Sequence, residues 1–121
     1  SLSYKDQYTE LITGTAEQTN AEPTATIKLK KEDKETGATA QGDATLEGAV
    51  YELVAGEDIY NKTKTKKYYT KGDIVATRET DTSGAMDDIT GLPLGNYQLR
   101  EKTPSLGYLL DENVYDNSLY L

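Results

Sequence analysis

Short runs of alternating apolar and polar residues recur along this chain, separated by turns rich in Gly, Asp and Pro. A two-residue period is typical of β-strands, and no segment sustains the 3.6-residue apolar period of an amphipathic helix. The pattern predicts strands near residues 26–34, 48–54, 73–80, 85–89, 96–103 and 108–121, with a polar excursion at 56–72. The chain is therefore predicted to be all-β and to form a small antiparallel β-sandwich.

Two charged residues occupy positions that the alternation assigns to the inside of this sandwich. Lys31 shares its strand face with Ile27 and Leu29, and Glu101 shares its face with Leu99. A lone buried ammonium or carboxylate costs several kcal/mol, so it usually becomes neutral or finds a partner. Because the two charges are opposite, we expect them to meet, either as a buried ion pair or as reacting groups.

Composition narrows the chemistry that such a pair can perform. The 121 residues amount to one domain with a modest core, because hydrophobic content is 36% and its ten Tyr have to replace the absent Phe and Trp. The lack of Cys and His excludes disulfides, thiol catalysis and the commonest metal ligands, and no cofactor or metal is predicted. The net charge of −8 disfavours nucleic acid and anionic membranes as partners. We find no bilayer-spanning apolar run and no signal peptide, which fits an extracellular fragment and a cytosolic protein equally.

The first 23 residues differ from the remainder. Residues 11–16 have the composition of a strand, and Asn20-Ala-Glu-Pro23 reads as a linker into a domain that spans residues 24–121. The opening Ser1-Leu-Ser-Tyr4 is similar to the closing Ser118-Leu-Tyr-Leu121. This similarity suggests that both ends carry pieces of one repeat, although four residues also match by chance.

A series of motifs follows in a characteristic order. They are Lys31-Glu-Asp33, Thr36-Gly37, Leu46-Glu-Gly-Ala-Val-Tyr-Glu-Leu53, Thr80-Asp-Thr-Ser-Gly84, Leu92-Pro-Leu-Gly-Asn-Tyr97, the stretch Glu101-Lys-Thr-Pro-Ser-Leu-Gly-Tyr108, and Leu110-Asp111. Over about residues 26–116, this order resembles the CnaB-type (SpaA-like, prealbumin-like) domains of Gram-positive surface adhesins and pilins. The resemblance implies a reverse immunoglobulin-like sandwich, stacked in tandem as stalks.

Many members of that family form a spontaneous isopeptide bond between a first-strand Lys and a last-strand Asn or Asp, assisted by a Glu. By position, Lys31 matches the lysine and Glu101 the catalytic glutamate. The chemistry suits both residues, because apolar burial lowers the pKa of a lysine amine and so favours the neutral nucleophile. A protonated Glu can then polarise the carboxamide and pass protons to the leaving ammonia.

The Asn that would accept the bond from Lys31 does not lie where the resemblance predicts it. Asn113 and Asn117 follow Glu101 too closely, whereas Thr19-Asn20-Ala-Glu-Pro23 has the expected closing sequence but precedes Lys31. Asn20 is therefore predicted as the cross-linked partner of Lys31. Its segment either belongs to a preceding repeat, closes this domain as in a circular permutant, or completes a neighbouring molecule by strand addition.

The resemblance implies a stalk or spacer domain on the surface of a Gram-positive cell, not a turnover enzyme, with neighbouring repeats of the same protein as its partners. Strand exchange with another copy is a further possibility. Two alternatives are retained. One is an adhesin module that binds a carbohydrate or host protein through the 56–72 excursion, and the other is an engineered strand-complementing ligation protein.

Overall fold

A computed structural model of the protein describes residues 22–33, 35–37, 39–42 and 44–120 together with the backbone of residues 7–18. All of its regular elements are strands. They are β1 Gln7–Gln18, β2 Pro23–Asp33, β3 Val50–Ala55, β4 Ile59–Tyr60, β5 Lys67–Tyr69, β6 Ile74–Glu79, β7 Ile89–Pro93, β8 Gly95–Thr103 and β9 Val114–Leu119. The described residues contain no helix, and so no helix that could cross a membrane.

The strands form two antiparallel sheets and a small hairpin. One sheet has the order β1-β2-β7, the other has the order β6-β3-β8-β9, and β4 pairs with β5. Apolar residues on the inner faces of the two sheets make a common core in which Tyr51 and Tyr97 are the largest fully buried side chains. The predicted all-β sandwich is confirmed, and Tyr serves as the core aromatic.

The leading strand β1 forms an antiparallel hairpin with β2. Gln18 pairs with Pro23 at one end, and Thr9 pairs with Lys31 towards the other end. The strand predicted at residues 11–16 therefore exists and lies at the edge of the domain next to β2. Which domain or molecule this segment completes remains a prediction.

Two predicted elements were misplaced along the chain. The strand expected at 85–89 begins at Ile89 and runs through Pro93, although Gly91 and Pro93 are residues typical of turns. Pro93 fits a strand here because β7 is the last strand of its sheet, and an edge position needs no N–H donor on its outer side. The last strand begins at Val114, not near residue 108, because residues 108–113 form a loop.

The predicted polar excursion is ordered by its own hairpin. Strands β4 and β5 pair across a tip in which the side-chain carbonyl of Asn61 accepts hydrogen bonds from the backbone N–H groups of Thr65 and Lys66. This hairpin lies between β3 and β6. It is therefore at the end of the sandwich opposite the Val50–Glu79 pair that joins these strands.

Candidate functional site

Lys31 and Glu101 meet inside the sandwich. Lys31 lies near the end of β2, where its backbone N–H donates to the carbonyl of Gly84 at 2.8 Å. Glu101 lies on β8, directly opposite Tyr51 of β3. The Lys31 Nζ atom is 3.5 Å from Glu101 Oε2, and both side chains are 0% exposed. The charge pair that the alternation predicted is therefore formed across the two sheets.

The loop that follows β8 holds the Glu101 carboxylate from its other side. The backbone N–H of Asp111 donates to Glu101 Oε1 at 2.8 Å. The buried carboxylate of Asp111 in turn accepts hydrogen bonds from the Asn113 N–H, at 3.0 Å, and from the Tyr115 hydroxyl. Because one oxygen of Glu101 is held by the backbone, its other oxygen is directed at Lys31.

The same loop supplies an aromatic ring that covers the amine. Lys31 Nζ lies 4.9 Å from the centre of the Tyr108 ring. The Tyr108 hydroxyl donates a hydrogen bond to Asp33 Oδ2. Tyr108 therefore contacts both inward-facing charges of β2.

Asp33 is fully buried, and five hydrogen bonds hold its carboxylate. The donors are the Tyr108 hydroxyl, the backbone N–H groups of Glu35 and Thr36, and the Gln41 amide, which reaches both oxygens at 3.0 Å. Burial alone raises the pKa of Asp33, but these hydrogen bonds together outweigh it and leave the pKa below its ordinary value of 3.8. Asp33 is therefore an ionised carboxylate inside the protein.

The amine of Lys31 is biased towards its neutral form. Burial lowers the pKa of Lys31, and this outweighs the opposing effects of Glu101, Asp111 and Asp33, so the pKa falls below 10.5. A neutral amine is the nucleophilic form of lysine. The site therefore contains a potential nucleophile, a carboxyl group 3.5 Å away that can exchange a proton with it, and little access to water.

Comparison with known proteins agrees with this architecture. The family model of the SpaA prealbumin-like fold domain matches residues 25–119. The chain belongs to this family. No curated protein and no solved structure matches the chain significantly. Domains of the SpaA family are typical of surface pilins and adhesins, and the match indicates a structural domain of that type.

The buried site of this SpaA domain contains two of the three residues singled out from the sequence. Lys31 and Glu101 lie in contact, whereas Asn20 falls outside the described residues. Asn113 uses its backbone N–H to hold Asp111, and Asn117 lies on β9 opposite Tyr97. The chemical roles of all three residues remain predictions.

Three residues of the site occur in the motifs quoted from the sequence but were not predicted as site residues: Asp33, Tyr108 and Asp111. Strand alternation could have identified Asp33, because it is two positions after Lys31 and so lies on the same inward face of β2. Tyr108 and Asp111 lie in a loop, where no periodicity indicates which side chains point inward. Among the described residues, no group of three or more acidic side chains is arranged to hold a metal ion.

The turn that supports Lys31 provides a test of the local geometry. Gly84 has a φ of +85°, and a Cβ atom at this position would lie 2.2 Å from the Lys31 carbonyl oxygen. Gly84→Ala should therefore lower the free energy of unfolding by about 2 kcal/mol, through left-handed backbone strain and displacement of the β2 backbone. Chemical denaturation measures this, with Gly72→Ala as the control, because Gly72 has a φ of +93° and open space around it. Equal losses in the two variants would show that contact with Lys31 adds nothing.

Proposed function

We propose that this domain is a stalk or spacer of a Gram-positive cell-surface adhesin or pilus-like fibre, in which Lys31 forms an isopeptide bond with an Asn under the assistance of Glu101. The observation that carries the proposal is the fully buried contact of 3.5 Å between Lys31 Nζ and Glu101 Oε2. Membership of the SpaA family supports the structural role. Each Lys31 forms one bond and is consumed in doing so, and the domain is therefore not a turnover enzyme.

The chemistry needs both residues in their neutral forms. One proton transferred from the Lys31 ammonium to the Glu101 carboxylate produces this state without exchange with solvent. Lys31 Nζ then attacks the side-chain carbonyl carbon of the acceptor Asn, while the Glu101 carboxylic acid donates a hydrogen bond to the carbonyl oxygen. As the carbon–nitrogen bond of the Asn breaks, Glu101 relays the proton lost by Lys31 to the leaving nitrogen, and ammonia departs.

The fold supplies the proximity that an amide exchange in water lacks. Lys31 is fixed on β2 by the Gly84 carbonyl, and Glu101 is fixed on β8 by the Asp111 N–H. Such positioning is worth on the order of 7–11 kcal/mol of an activation barrier. A covalent bond from β2 to a closing strand would carry tension along the stalk and protect the sheet from unzipping.

Chain length supports an acceptor from outside the same molecule. Pro23 and Lys31 are eight residues apart on the extended strand β2, which is about 26 Å at the usual rise. The three residues from Asn20 to Pro23 span at most about 11 Å, so the Cα atoms of Asn20 and Lys31 in one chain cannot come closer than about 15 Å. Lys and Asn side chains together reach roughly 9 Å from their Cα atoms. We therefore propose that the acceptor is the Asn20 of another molecule, or its equivalent from the following repeat of a tandem array.

Mass spectrometry and denaturing electrophoresis test this proposal. At high protein concentration, the chain should form covalent dimers and longer species that lack ~17 Da, one ammonia, for each bond. The monomer should keep the mass of its sequence. Peptide mapping should locate the bond between Lys31 of one chain and Asn20 of another. Lys31→Ala, Glu101→Ala and Asn20→Ala should each abolish the covalent species.

Lys30→Ala is the matched control, since Lys30 neighbours Lys31 on β2 but is not fully buried. Covalent species that persist in Lys31→Ala would contradict the assignment of the nucleophile. A monomer that has itself lost ~17 Da would contradict the external acceptor. Absence of any mass loss would leave Lys31 and Glu101 as a buried ion pair without a covalent product.

The ligand-binding alternative has one structural observation in its favour. A cleft of about 440 Å³ lies beside the β4–β5 hairpin, with the partly exposed rings of Tyr60 and Tyr120 among its lining residues. However, its Glu57 carboxylate already accepts hydrogen bonds from the Asn96 N–H, at 3.0 Å, and the Tyr120 hydroxyl, at 2.5 Å. Since this polar group of the cleft stabilises the fold, we favour the stalk function.

A further inference from the structure

Two buried carboxylates, those of Asp33 and Glu101, are candidates for the counter-ion of Lys31. Asp33 follows two residues later on the same inward face of β2, and it is fully buried and ionised. An ionised carboxylate so close in the chain is a natural counter-ion for an ammonium group. Yet the ion pair of 3.5 Å is made with Glu101 on the opposite sheet.

The hydrogen bonds of Asp33 explain this selection. One oxygen accepts the N–H groups of Glu35 and Thr36 in the turn that follows β2, at 2.8 and 2.9 Å. The other accepts the Tyr108 hydroxyl, and the Gln41 amide bridges both. A carboxylate accepts about four hydrogen bonds, so that of Asp33 is saturated by donors other than the amine.

Tyr108 connects this anchored carboxylate to the amine. Its ring centre lies 4.9 Å from Lys31 Nζ, while its hydroxyl is bonded to Asp33. The ring is thus held against the amine by the hydroxyl at its far end. Tyr108 is itself 5% exposed, so the contact is shielded from water and electrostatic effects there are strong.

We propose that Asp33 and Tyr108 form a positioning pair that withholds the Asp33 carboxylate from Lys31 and so reserves the amine for Glu101. This inference rests on the proposed function and extends it to two residues that do not react. In the absence of the Tyr108 hydroxyl, Asp33 Oδ2 keeps only the hydrogen bond from the Gln41 amide, so one of its two lone pairs becomes free to interact with the amine. The ammonium form of Lys31 would then be stabilised, and fewer molecules would hold the neutral nucleophile.

Two further charged groups act on the amine besides Asp33 and Tyr108. Glu101 faces it from β8, and Asp111 acts from the loop after β8. Glu101 and Asp111 remain in place when only the Tyr108 hydroxyl is removed. A change caused by Tyr108→Phe can therefore be assigned to Asp33 by a second substitution at that position.

The experiment measures the rate of covalent bond formation against pH. Tyr108→Phe keeps the ring but should shift the profile by about one pH unit to the alkaline side, which is a roughly tenfold slower reaction at neutral pH. Adding Asp33→Asn removes the competing charge and should move the profile back towards that of the unmodified chain. Tyr97→Phe is the matched control, since it also removes a buried tyrosine's hydroxyl, one bonded to Pro93 and not to this site.

Two outcomes would overturn the inference. The first is a Tyr108→Phe rate that falls by the same factor at every pH, which would indicate a packing role alone. The second is a double variant whose profile stays as alkaline as that of Tyr108→Phe. If the unmodified chain forms no bond at all, the proposed function fails separately. An NMR titration of Lys31 Nζ then decides the inference, because Tyr108→Phe should raise its pKa, and an unchanged pKa would overturn the positioning role.

Discussion

Replacing Lys31 with Met while keeping Glu101 should lower the free energy of unfolding of the unlinked chain by about 3–5 kcal/mol. The reason is that Glu101 would stay buried at 0% side-chain exposure with its charge uncompensated. Glu101→Leu should lower the free energy of unfolding by a similar amount, because the Lys31 ammonium would stay buried without the opposite charge of Glu101. Urea denaturation of monomers purified away from covalent species measures both variants.

The double variant Lys31→Met/Glu101→Leu provides the decisive comparison. Replacing both partners with apolar side chains of similar size removes the desolvation cost together with the attraction, so the double variant should be much more stable than the sum of the single losses predicts. Strictly additive losses would contradict an energetic coupling between the two side chains.

A surface pair in the same protein is the matched control for this cycle. Lys28 Nζ and Asp88 Oδ2 lie 3.3 Å apart, a shorter distance than in the buried pair, but their side chains are 52% and 44% exposed. Because solvent screens exposed charges, Lys28→Met should cost less than about 1 kcal/mol. The contrast between the two pairs would show that burial, not distance, determines the cost.

The sequence was sufficient to predict this pair because β-strand alternation assigns each residue to a face. Lys31 and Glu101 both fall on apolar faces, and opposite charges on two inward faces of one small domain have few ways to be satisfied. The same reasoning applied one step further along β2 would have identified Asp33. Strand periodicity therefore carries information on buried charge as well as on the core.

The remainder of the site depends on loops, which alternation does not describe. Asp111 holds Glu101 through a backbone N–H, a contact that is independent of side-chain type and leaves no sequence pattern. Tyr108 reaches Asp33 across 75 positions of the chain, a pairing that only the tertiary fold determines. The strand β7 was misplaced for a different reason, since Gly91 and Pro93, which are typical of turns, are tolerated in an edge strand.

Acid should destabilise this protein through Asp33. The pKa of Asp33 in the folded protein is lower than 3.8, so the unfolded chain binds more protons as the pH falls through and below that value. The stability that Asp33 contributes is thus fully present well above pH 3.8 and is lost as the pH falls towards the folded pKa.

Lys31 affects stability at alkaline pH. Because its pKa is lowered in the folded protein, the free energy of unfolding rises as the pH increases towards 10.5.

Asp33→Asn tests the acid effect. At pH 7 the variant should be less stable by about 3 kcal/mol, because an amide NH₂ cannot accept the hydrogen bonds that the carboxylate receives from the turn and from Tyr108. As the pH is lowered below 3.8, the difference between the two proteins should shrink, since only the original chain loses a charge at this position.

Denaturation curves from pH 7 down to pH 2 measure this convergence. Tyr108→Phe is an informative intermediate, because it removes one donor and leaves the carboxylate with the turn and Gln41. Its loss at pH 7 should therefore be smaller than that of Asp33→Asn. Stability curves for Asp33→Asn and the original chain that run parallel over the whole range would show that Asp33 titrates alike in the folded and unfolded states. In that case the hydrogen bonds that hold its carboxylate would contribute nothing through its charge, and the case for an anchored anion beside Lys31 would fail.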